Sequence, residues 1–243
     1  MNKIMPVQVG TVLTLAGAVP AEMFAEAFDF VWIDLEHAAL SSADAQDMIL
    51  GAQAAGATTL VRVRCDDFRS MTHVLDAGAD GIVLADVPDA ATAAAVIRRT
   101  SHPPQGTRGW GPRRSSLRGR NQESTNLRPQ VWAQIESRAG VNFAGEIAAV
   151  EGIDAVVVGT ADLSLALCKP QQFNSPELIA AVAQVRQAAH AHGITFGVAG
   201  PLIDAPEELI RSAAILCHST DARLSATAAD AAADHLRQQA KEY

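Results

Sequence analysis

Eight short apolar runs rich in Val and Ile alternate along the chain with longer Ala-rich stretches whose apolar residues recur at helical spacing. Strands that are apolar on both faces are typical of parallel sheets covered by helices. Eight strand–helix pairs in 243 residues therefore predict an α/β fold, specifically a (β/α)8 TIM barrel. The predicted strands are residues 7–15, 30–34, 59–64, 81–85, 130–135, 155–159, 194–199 and 214–218. Helices are predicted to begin near Pro20, Ser41, Phe68, Asp89, Arg138, Ser175, Pro206 and Asp221.

The alternation continues over residues 1–243 without a Pro/Ser-rich linker, so we expect a single barrel domain. A doubly wound open sheet is the alternative architecture, and it normally carries a Gly-rich phosphate-binding turn after its first strand. Here residues 16–20 read Ala-Gly-Ala-Val-Pro, which lacks the G-x-G-x-x-G spacing. Nucleotide binding therefore has no support in the sequence.

Charge and hydropathy exclude two classes of partner. The chain has 27 Asp and Glu against 19 Lys and Arg, and its net charge of −8 disfavours nucleic acid. No apolar run reaches the roughly 20 residues that cross a bilayer. Residues 7–18 are a weak candidate for a secretory signal, but only Lys3 precedes them and we interpret them as a buried strand. Because Cys65, Cys168 and Cys217 form no Cys-x-x-Cys pair, we expect a reducing, cytoplasmic environment.

The apolar residues of 101–129 follow neither the spacing of a helix nor that of a strand. These residues form the longest predicted loop, between the fourth helix and the fifth strand. Long loops inside compact domains are usually functional or disordered. In a barrel this loop either follows the fourth helix or caps the top face, where the strands end. Its guanidinium groups serve anionic substrates, subunit contacts or only a solvated surface. They belong to Arg108, Arg113, Arg114, Arg118, Arg120 and Arg128.

Two carboxylates follow neighbouring predicted strands. Glu136 comes directly after the fifth strand, and Asp162 follows the sixth. Since catalytic groups of barrel enzymes lie at the carboxyl ends of the strands, this pair is a candidate site for Mg²⁺ or Mn²⁺, with Co²⁺ as an alternative. The other interpretation is that each carboxylate caps the helix that follows it.

Charged groups also end the second and third strands. Arg62 lies inside an apolar strand and shares one face with Arg64. A buried cation needs an anion, which is either a substrate oxygen or an internal partner, Asp34 or Glu36. His37 follows the second strand and is the best candidate for proton transfer, because the ordinary pKa of histidine lies near neutrality.

Six motifs in this order resemble the HpcH/HpaI family of class II, metal-dependent 2-oxo-acid aldolases. The resemblance covers nearly the whole chain. The motifs are FDFVWIDLEH at 28–37, VRV at 61–63, LDAGADGI at 75–82, PPQGTRG at 103–109, QIE at 134–136 and VGTADLS at 158–164.

The resemblance implies a divalent cation held by Glu136 and Asp162 and chelated by pyruvate or its enolate. It implies that Arg62 stabilises the enolate oxygen. It also implies that His37 acts, through a water, as acid and base on the product hydroxyl, assisted by Asp34 or Asp76.

Substrate-binding groups are implied in the same way. Gln134 would orient the substrate, and the backbone at Thr160, Ala161 and Asp162 would receive the pyruvate carboxylate. The sequence departs from the family pattern at Thr160, where the family commonly has Pro. It departs again at Ala85, which replaces a usual Pro and is followed by Asp86.

The implied activity is reversible retro-aldol cleavage of a 4-hydroxy-2-oxo acid to pyruvate and an aldehyde, with oxaloacetate decarboxylation as a side activity. The alternative is a citrate-synthase-like or CoA-ester lyase enzyme that uses oxaloacetate or acyl-CoA, for which residues 101–129 are the one candidate nucleotide groove. A third option is a non-catalytic barrel scaffold. The resemblance also implies a homohexamer, a trimer of dimers in which neighbouring subunits help to form each site.

Overall fold

The structure is a computed structural model that describes residues 6–111, 114 and 128–240. Eight parallel strands form a closed barrel in chain order, with the last strand paired to the first. The prediction of a (β/α)8 TIM barrel is confirmed. The strands are β1 (Gln8–Leu13), β2 (Phe30–Asp34), β3 (Thr58–Arg64), β4 (Gly81–Ala85), β5 (Gln130–Ile135), β6 (Ala155–Gly159), β7 (Thr195–Gly200) and β8 (Ile215–Thr220).

Eight of the described helices begin within two residues of the predicted starts, and two further short helices follow β5 and β6. Side-chain caps account for several starts: Ser41 forms a capping box with Asp44, and Ser175 caps the helix that Pro176 begins. The helices are α1 (Ala18–Ala25), α2 (Ser42–Ala54), α3 (Phe68–Ala77), α4 (Ala90–Thr100), α5 (Arg138–Asn142), α6 (Ala144–Ala148), α7 (Thr160–Ala166), α8 (Pro176–His192), α9 (Glu207–Ile210) and α10 (Asp221–Gln239).

Two hydrophobic cores follow from the alternation of side chains along each strand. The larger lies between the barrel and its helices, and the smaller fills the barrel. Inside the barrel, the rings of Phe30 and Trp132 pack edge to face with centroids 5.3 Å apart. Since residues two apart on a strand share a face, Asp34, Arg62 and Gln134 point into the same barrel interior.

The described part of the arginine-rich loop lies at the amino-terminal ends of the strands. Arg108 bonds to Asp76, in the last turn of α3, at 2.6 Å. Arg128 bonds to Asp154, directly before β6, at 2.7 Å. Arg114 donates to the Ala77 carbonyl at the end of α3 at 2.9 Å. The three described arginines therefore do not cap the top face, and the alternative that placed them there is wrong. Three further arginines of that prediction lie outside the described residues, namely Arg113, Arg118 and Arg120.

The last helix, α10, is attached to the barrel mainly at its first residue. Asp221 is fully buried and accepts hydrogen bonds from the backbone of Thr14 and Leu15 and from the Thr14 hydroxyl. Asp221 is the only buried residue of α10, and Leu236 near its end is 64% exposed. Among the helices described, none is long and apolar enough to cross a membrane.

Candidate active site

A buried ion pair joins β2 and β3 where the strands end. Asp34 and Arg62 are opposite each other in the sheet register. The Arg62 Nε and Nη2 atoms donate to the two Asp34 oxygens at 2.9 and 2.7 Å. Burial would raise the pKa of Asp34, but the Arg62 hydrogen bonds and charge outweigh it and hold that pKa below its usual value. The guanidinium is therefore fixed in position and permanently charged.

A second carboxylate, Glu36, connects this ion pair to the mouth of the barrel. Its Oε2 lies 3.4 Å from the Arg62 Nε and 3.5 Å from the His37 Nε2. Burial and the charges of Asp34 and Asp162 raise the pKa of Glu36 against the opposing charges of Arg62 and His37. The His37 side chain is 60% exposed at the mouth of the barrel, and the Glu36 carboxylate lies behind it.

Glu136 is buried at the end of β5 and holds the neighbouring strand end. Its Oε1 accepts a hydrogen bond from the Asp86 backbone N–H at 2.9 Å, and its Oε2 accepts one from the Gln134 amide. Burial, followed by the charges of Glu36 and Asp162, raises the pKa of Glu136 to about 8 despite the opposing charge of Arg62. The positive charge of Arg62 therefore does not offset the burial of the Glu136 carboxylate and the repulsion from its neighbouring carboxylates.

Glycine is required at the end of β6 because these side chains occupy the space beside it. A Cβ at Gly159 would lie 2.5 Å from the Glu136 Oε2 and 2.6 Å from the Gln134 Nε2. The Gln134 Oε1 is buried without a hydrogen-bond partner among the described residues. Such an acceptor fits a ligand or water that supplies a proton donor.

The donor set fits a hard divalent cation. In residues 6–111, 114 and 128–240, no group of three or more His, Cys, Asp or Glu side chains is arranged to hold a metal ion. Glu136 and Asp162 are a two-carboxylate set, which leaves other coordination positions to water and substrate. The Asp162 charge raises the pKa of both Glu36 and Glu136, and a cation would relieve this repulsion.

The helix-cap interpretation of these carboxylates fails for Glu136. Helix α5 is capped by the Ser137 side chain, which accepts from the Gly140 N–H. Asp162 lies in the first turn of α7, where its charge suits the helix dipole. The N-cap of α7 is Gly159, which has no side chain to accept a hydrogen bond from the first-turn N–H groups.

Comparison with known proteins identifies the family of this chain. Residues 14–220 match the HpcH/HpaI aldolase/citrate lyase family. The chain belongs to this family. The predicted resemblance is confirmed over most of the sequence.

Members of the HpcH/HpaI family with assigned activities are similar over most of their length. A hydroxypyruvate/pyruvate aldolase of Rhizorhabdus wittichii is 34% identical over 76% of this chain and 76% of its own. A 4-hydroxy-2-oxovalerate aldolase of Rhodococcus jostii is 35% identical over 86% of this chain and 83% of its own. The crystal structure of the citrate synthase SbnG, 28% identical, has a TM-score of 0.86 over 97% of this chain and 95% of that one.

Two residues that the resemblance drew attention to, Thr160 and the Asp86 that follows Ala85, have structural consequences. The Thr160 hydroxyl is buried and donates to the Ala199 carbonyl at 3.0 Å, which ties the start of α7 to β7. Asp86 adopts the left-handed region at φ 43°, and its side chain is exposed at the end of β4. The sequence does not indicate the left-handed backbone of Asp86 or its hydrogen bond to Glu136, because both depend on how the ends of β4 and β5 pack together.

The structure does not bring Asp76 to the other predicted residues of the same chain. Asp76 lies at the end of α3 that leads into β4, at the amino-terminal side of the barrel, where it pairs with Arg108. Its predicted assistance to His37 is therefore not provided within one chain. The roles of the remaining residues stay predictions that the geometry makes testable.

Proposed function

We propose that this HpcH/HpaI family member cleaves 4-hydroxy-2-oxo acids to pyruvate and an aldehyde with a divalent cation. The observation that carries the proposal is the geometry of Arg62, a buried guanidinium fixed by Asp34 beside two further carboxylates, Glu36 and Glu136. A fixed cation stabilises negative charge that develops on an oxygen during the reaction. An enolate oxygen is the negative charge that pyruvate chemistry creates.

Glu136 and Asp162 would hold the cation, and their hard oxygen donors favour Mg²⁺ or Mn²⁺, with Co²⁺ as an alternative. Bound there, the cation would act as a Lewis acid on the oxygens of a 2-oxo acid. Gln134, whose buried Oε1 lacks a partner in the described structure, would orient that acid. The first-turn N–H groups at Thr160, Ala161 and Asp162 would receive its carboxylate.

The chain's own groups account for the movement of protons and electrons. His37, acting through a water, removes the proton of the C4 hydroxyl, and the C3–C4 bond breaks as C4 becomes an aldehyde. The bonding electron pair passes to the enolate, whose oxygen faces Arg62. The Arg62 bonds to Asp34 use Nε and Nη2, so Nη1 is the atom available to that oxygen. Protonation at C3 then gives pyruvate.

We also propose that the protein forms a homohexamer and is located in the cytoplasm. The exposed surface of α10, buried only at Asp221, supports a contact with another subunit. Asp76 assists His37 only if a neighbouring chain supplies it, because within one chain the two residues lie at opposite ends of the barrel.

Carbon–carbon bond formation on oxaloacetate is the second candidate function, and likeness to the citrate synthase structure favours it. The CoA-dependent version is less well supported, because the described arginines of residues 101–129 are paired away from the top face. The oxaloacetate version uses the same enolate chemistry, so substrate choice distinguishes it from aldol cleavage.

The direct test is release of pyruvate from racemic 4-hydroxy-2-oxo acids, followed by coupling to lactate dehydrogenase. We expect release with Mg²⁺ or Mn²⁺, loss in excess EDTA, and loss in Asp162→Asn at unchanged thermal stability. The matched control is Asp47→Asn, because Asp47 is exposed on α2 away from the site. Full activity in EDTA or in Asp162→Asn would contradict the proposal, and condensation of oxaloacetate without pyruvate release would favour the second candidate.

A further inference from the structure

Asp86 occupies a fixed position at the mouth of the candidate active site. Its backbone N–H donates to the Glu136 Oε1 at 2.9 Å, and its carbonyl oxygen lies 4.0 Å from the Cys65 Sγ. The next residue, Val87, is buried, and its N–H donates to the Gln134 carbonyl at 3.0 Å. The backbone on both sides of the Asp86 Cα is therefore held by the strands that form the site.

The backbone conformation at Asp86 is unfavourable for a residue with a side chain. Asp86 has φ 43°, in the left-handed region that most side chains avoid and that glycine and asparagine adopt more readily. The bond from its N–H to Glu136 puts the Asp86 Cα within about 4.4 Å of the Glu136 Oε1. The exposed Asp86 carboxylate thus lies within about 8 Å of that oxygen.

The site has an excess of negative charge even without Asp86. The charges of three carboxylates, Asp34, Glu36 and Glu136, act on the Arg62 guanidinium. The charge of a fourth, Asp162, acts on Glu36 and Glu136. A bound divalent cation would leave one negative charge uncompensated, and Asp86 raises that excess to two. The exposed Arg64 nearby does not offset it, because Asp66 already pairs with Arg64 at 3.1 Å.

We infer that Asp86 determines the electrophile of the reaction, so that the site selects neutral, hydroxylated aldehydes and disfavours aldehydes that carry a carboxylate. The inference rests on the proposed aldol activity and deepens it by naming the substrate class. A carboxylate on the aldehyde would approach Asp86 after pyruvate, itself an anion, is bound. Two like charges about 6 Å apart reduce the rate constant about three- to tenfold at effective dielectric constants of about 80 to 40.

Glycolaldehyde and glyoxylate provide a matched pair of electrophiles, because they differ only in a hydroxymethyl group against a carboxylate. In the aldol direction, C3 of the pyruvate enolate bonds to the aldehyde carbon, and the aldehyde oxygen takes a proton to become the C4 hydroxyl. The experiment measures kcat/KM for both aldehydes at fixed pyruvate and Mg²⁺. We expect the wild-type protein to prefer glycolaldehyde.

Asp86→Asn tests the cause, because asparagine keeps the size of the side chain and tolerates the left-handed backbone. We expect the ratio of kcat/KM for glyoxylate to that for glycolaldehyde to rise about three- to tenfold in this variant. Asp47→Asn, the same chemical change on the surface of α2, is expected to leave the ratio unchanged.

The outcomes separate this inference from the proposed function. An unchanged ratio in Asp86→Asn, a wild-type preference for glyoxylate, or no reaction of either aldehyde would overturn the role of Asp86. In each case exchange of the pyruvate methyl protons with solvent reports separately on the enolate chemistry. Absence of that exchange in the wild-type protein would contradict the proposed function instead.

Discussion

Replacing Glu136 with glutamine should remove a pH-dependent loss of stability from the cation-free protein. Burial and neighbouring carboxylates raise the pKa of Glu136 from 4.5 to about 8. Between these pH values the folded state binds the proton that the unfolded state has released, so stability falls as pH rises from about 4.5 to 8. A difference of this size corresponds to at most about 5 kcal/mol, at 1.36 kcal/mol for each pH unit.

Glutamine fits this position without raising the number of unsatisfied groups, because turning the Gln134 amide over only exchanges its unpartnered Oε1 for its Nε2. Its Oε1 can accept from the Asp86 N–H as the glutamate oxygen does. Its amide can donate to the Gln134 Oε1, which has no partner among the described residues, once the Gln134 amide turns over. We therefore expect Glu136→Gln to fold and to be more stable than the wild-type protein at pH 8.5 in EDTA.

Urea denaturation from pH 5 to 9 in EDTA measures this effect. The free energy of unfolding of the wild-type protein should decrease relative to that of Glu136→Gln up to about pH 8 and then run parallel to it. Glu146→Gln, an exposed site on α6, is the matched control and should follow the wild-type curve. Adding Mg²⁺ should stabilise the wild-type protein most at high pH, because the cation competes with the proton. Parallel wild-type and Glu136→Gln curves over the whole range would contradict a raised pKa of Glu136 in the folded protein.

Three further substitutions test separate parts of the site. Arg62→Lys should lower kcat at least about tenfold, because a lysine ammonium cannot keep both hydrogen bonds to Asp34 and also face the substrate. Near-normal turnover would contradict the role of Arg62 at the enolate oxygen. His37→Ala should lower pyruvate release from a hydroxy-oxo acid at least about 100-fold and oxaloacetate decarboxylation much less, and equal losses would count against proton transfer by His37. Gly200→Ala should destabilise the protein by about 1–3 kcal/mol in thermal unfolding, because its Cβ would overlap the Thr160 Oγ1 at φ 150°. Adding Thr160→Ala should recover part of that loss, and additive effects would exclude the contact.

Alternation of apolar residues was sufficient to predict the barrel and the exact bounds of four of its eight strands. β2 and β4 to β6 have the predicted bounds, because runs that are buried on both faces have few alternatives to a parallel strand. The same alternation put Arg62 inside an apolar strand, on one face with Arg64, as a buried cation that needs an anion. It left open whether Asp34 or Glu36 is its main partner, which the register of β2 against β3 decides in favour of Asp34.

Features that depend on contacts between distant segments could not be predicted. The sequence gives no indication that Asp86 is held in the left-handed region or that Gly159 leaves space for Glu136. The sequence also did not show at which end of the barrel Arg108 and Arg128 lie. Their position follows from their partners, Asp76 and Asp154, which lie at the amino-terminal ends of the strands. The local pattern of apolar residues determines helices and strands, whereas these contacts depend on how distant segments pack in the folded protein.

Exchange of the pyruvate methyl protons with D2O, followed by NMR, is the most direct test of the central claim. It reports enolate formation without any choice of aldehyde. We expect exchange that requires Mg²⁺ or Mn²⁺, stops in excess EDTA and is lost in Asp162→Asn. Exchange that persists in EDTA, or no exchange with any divalent cation, would contradict that claim.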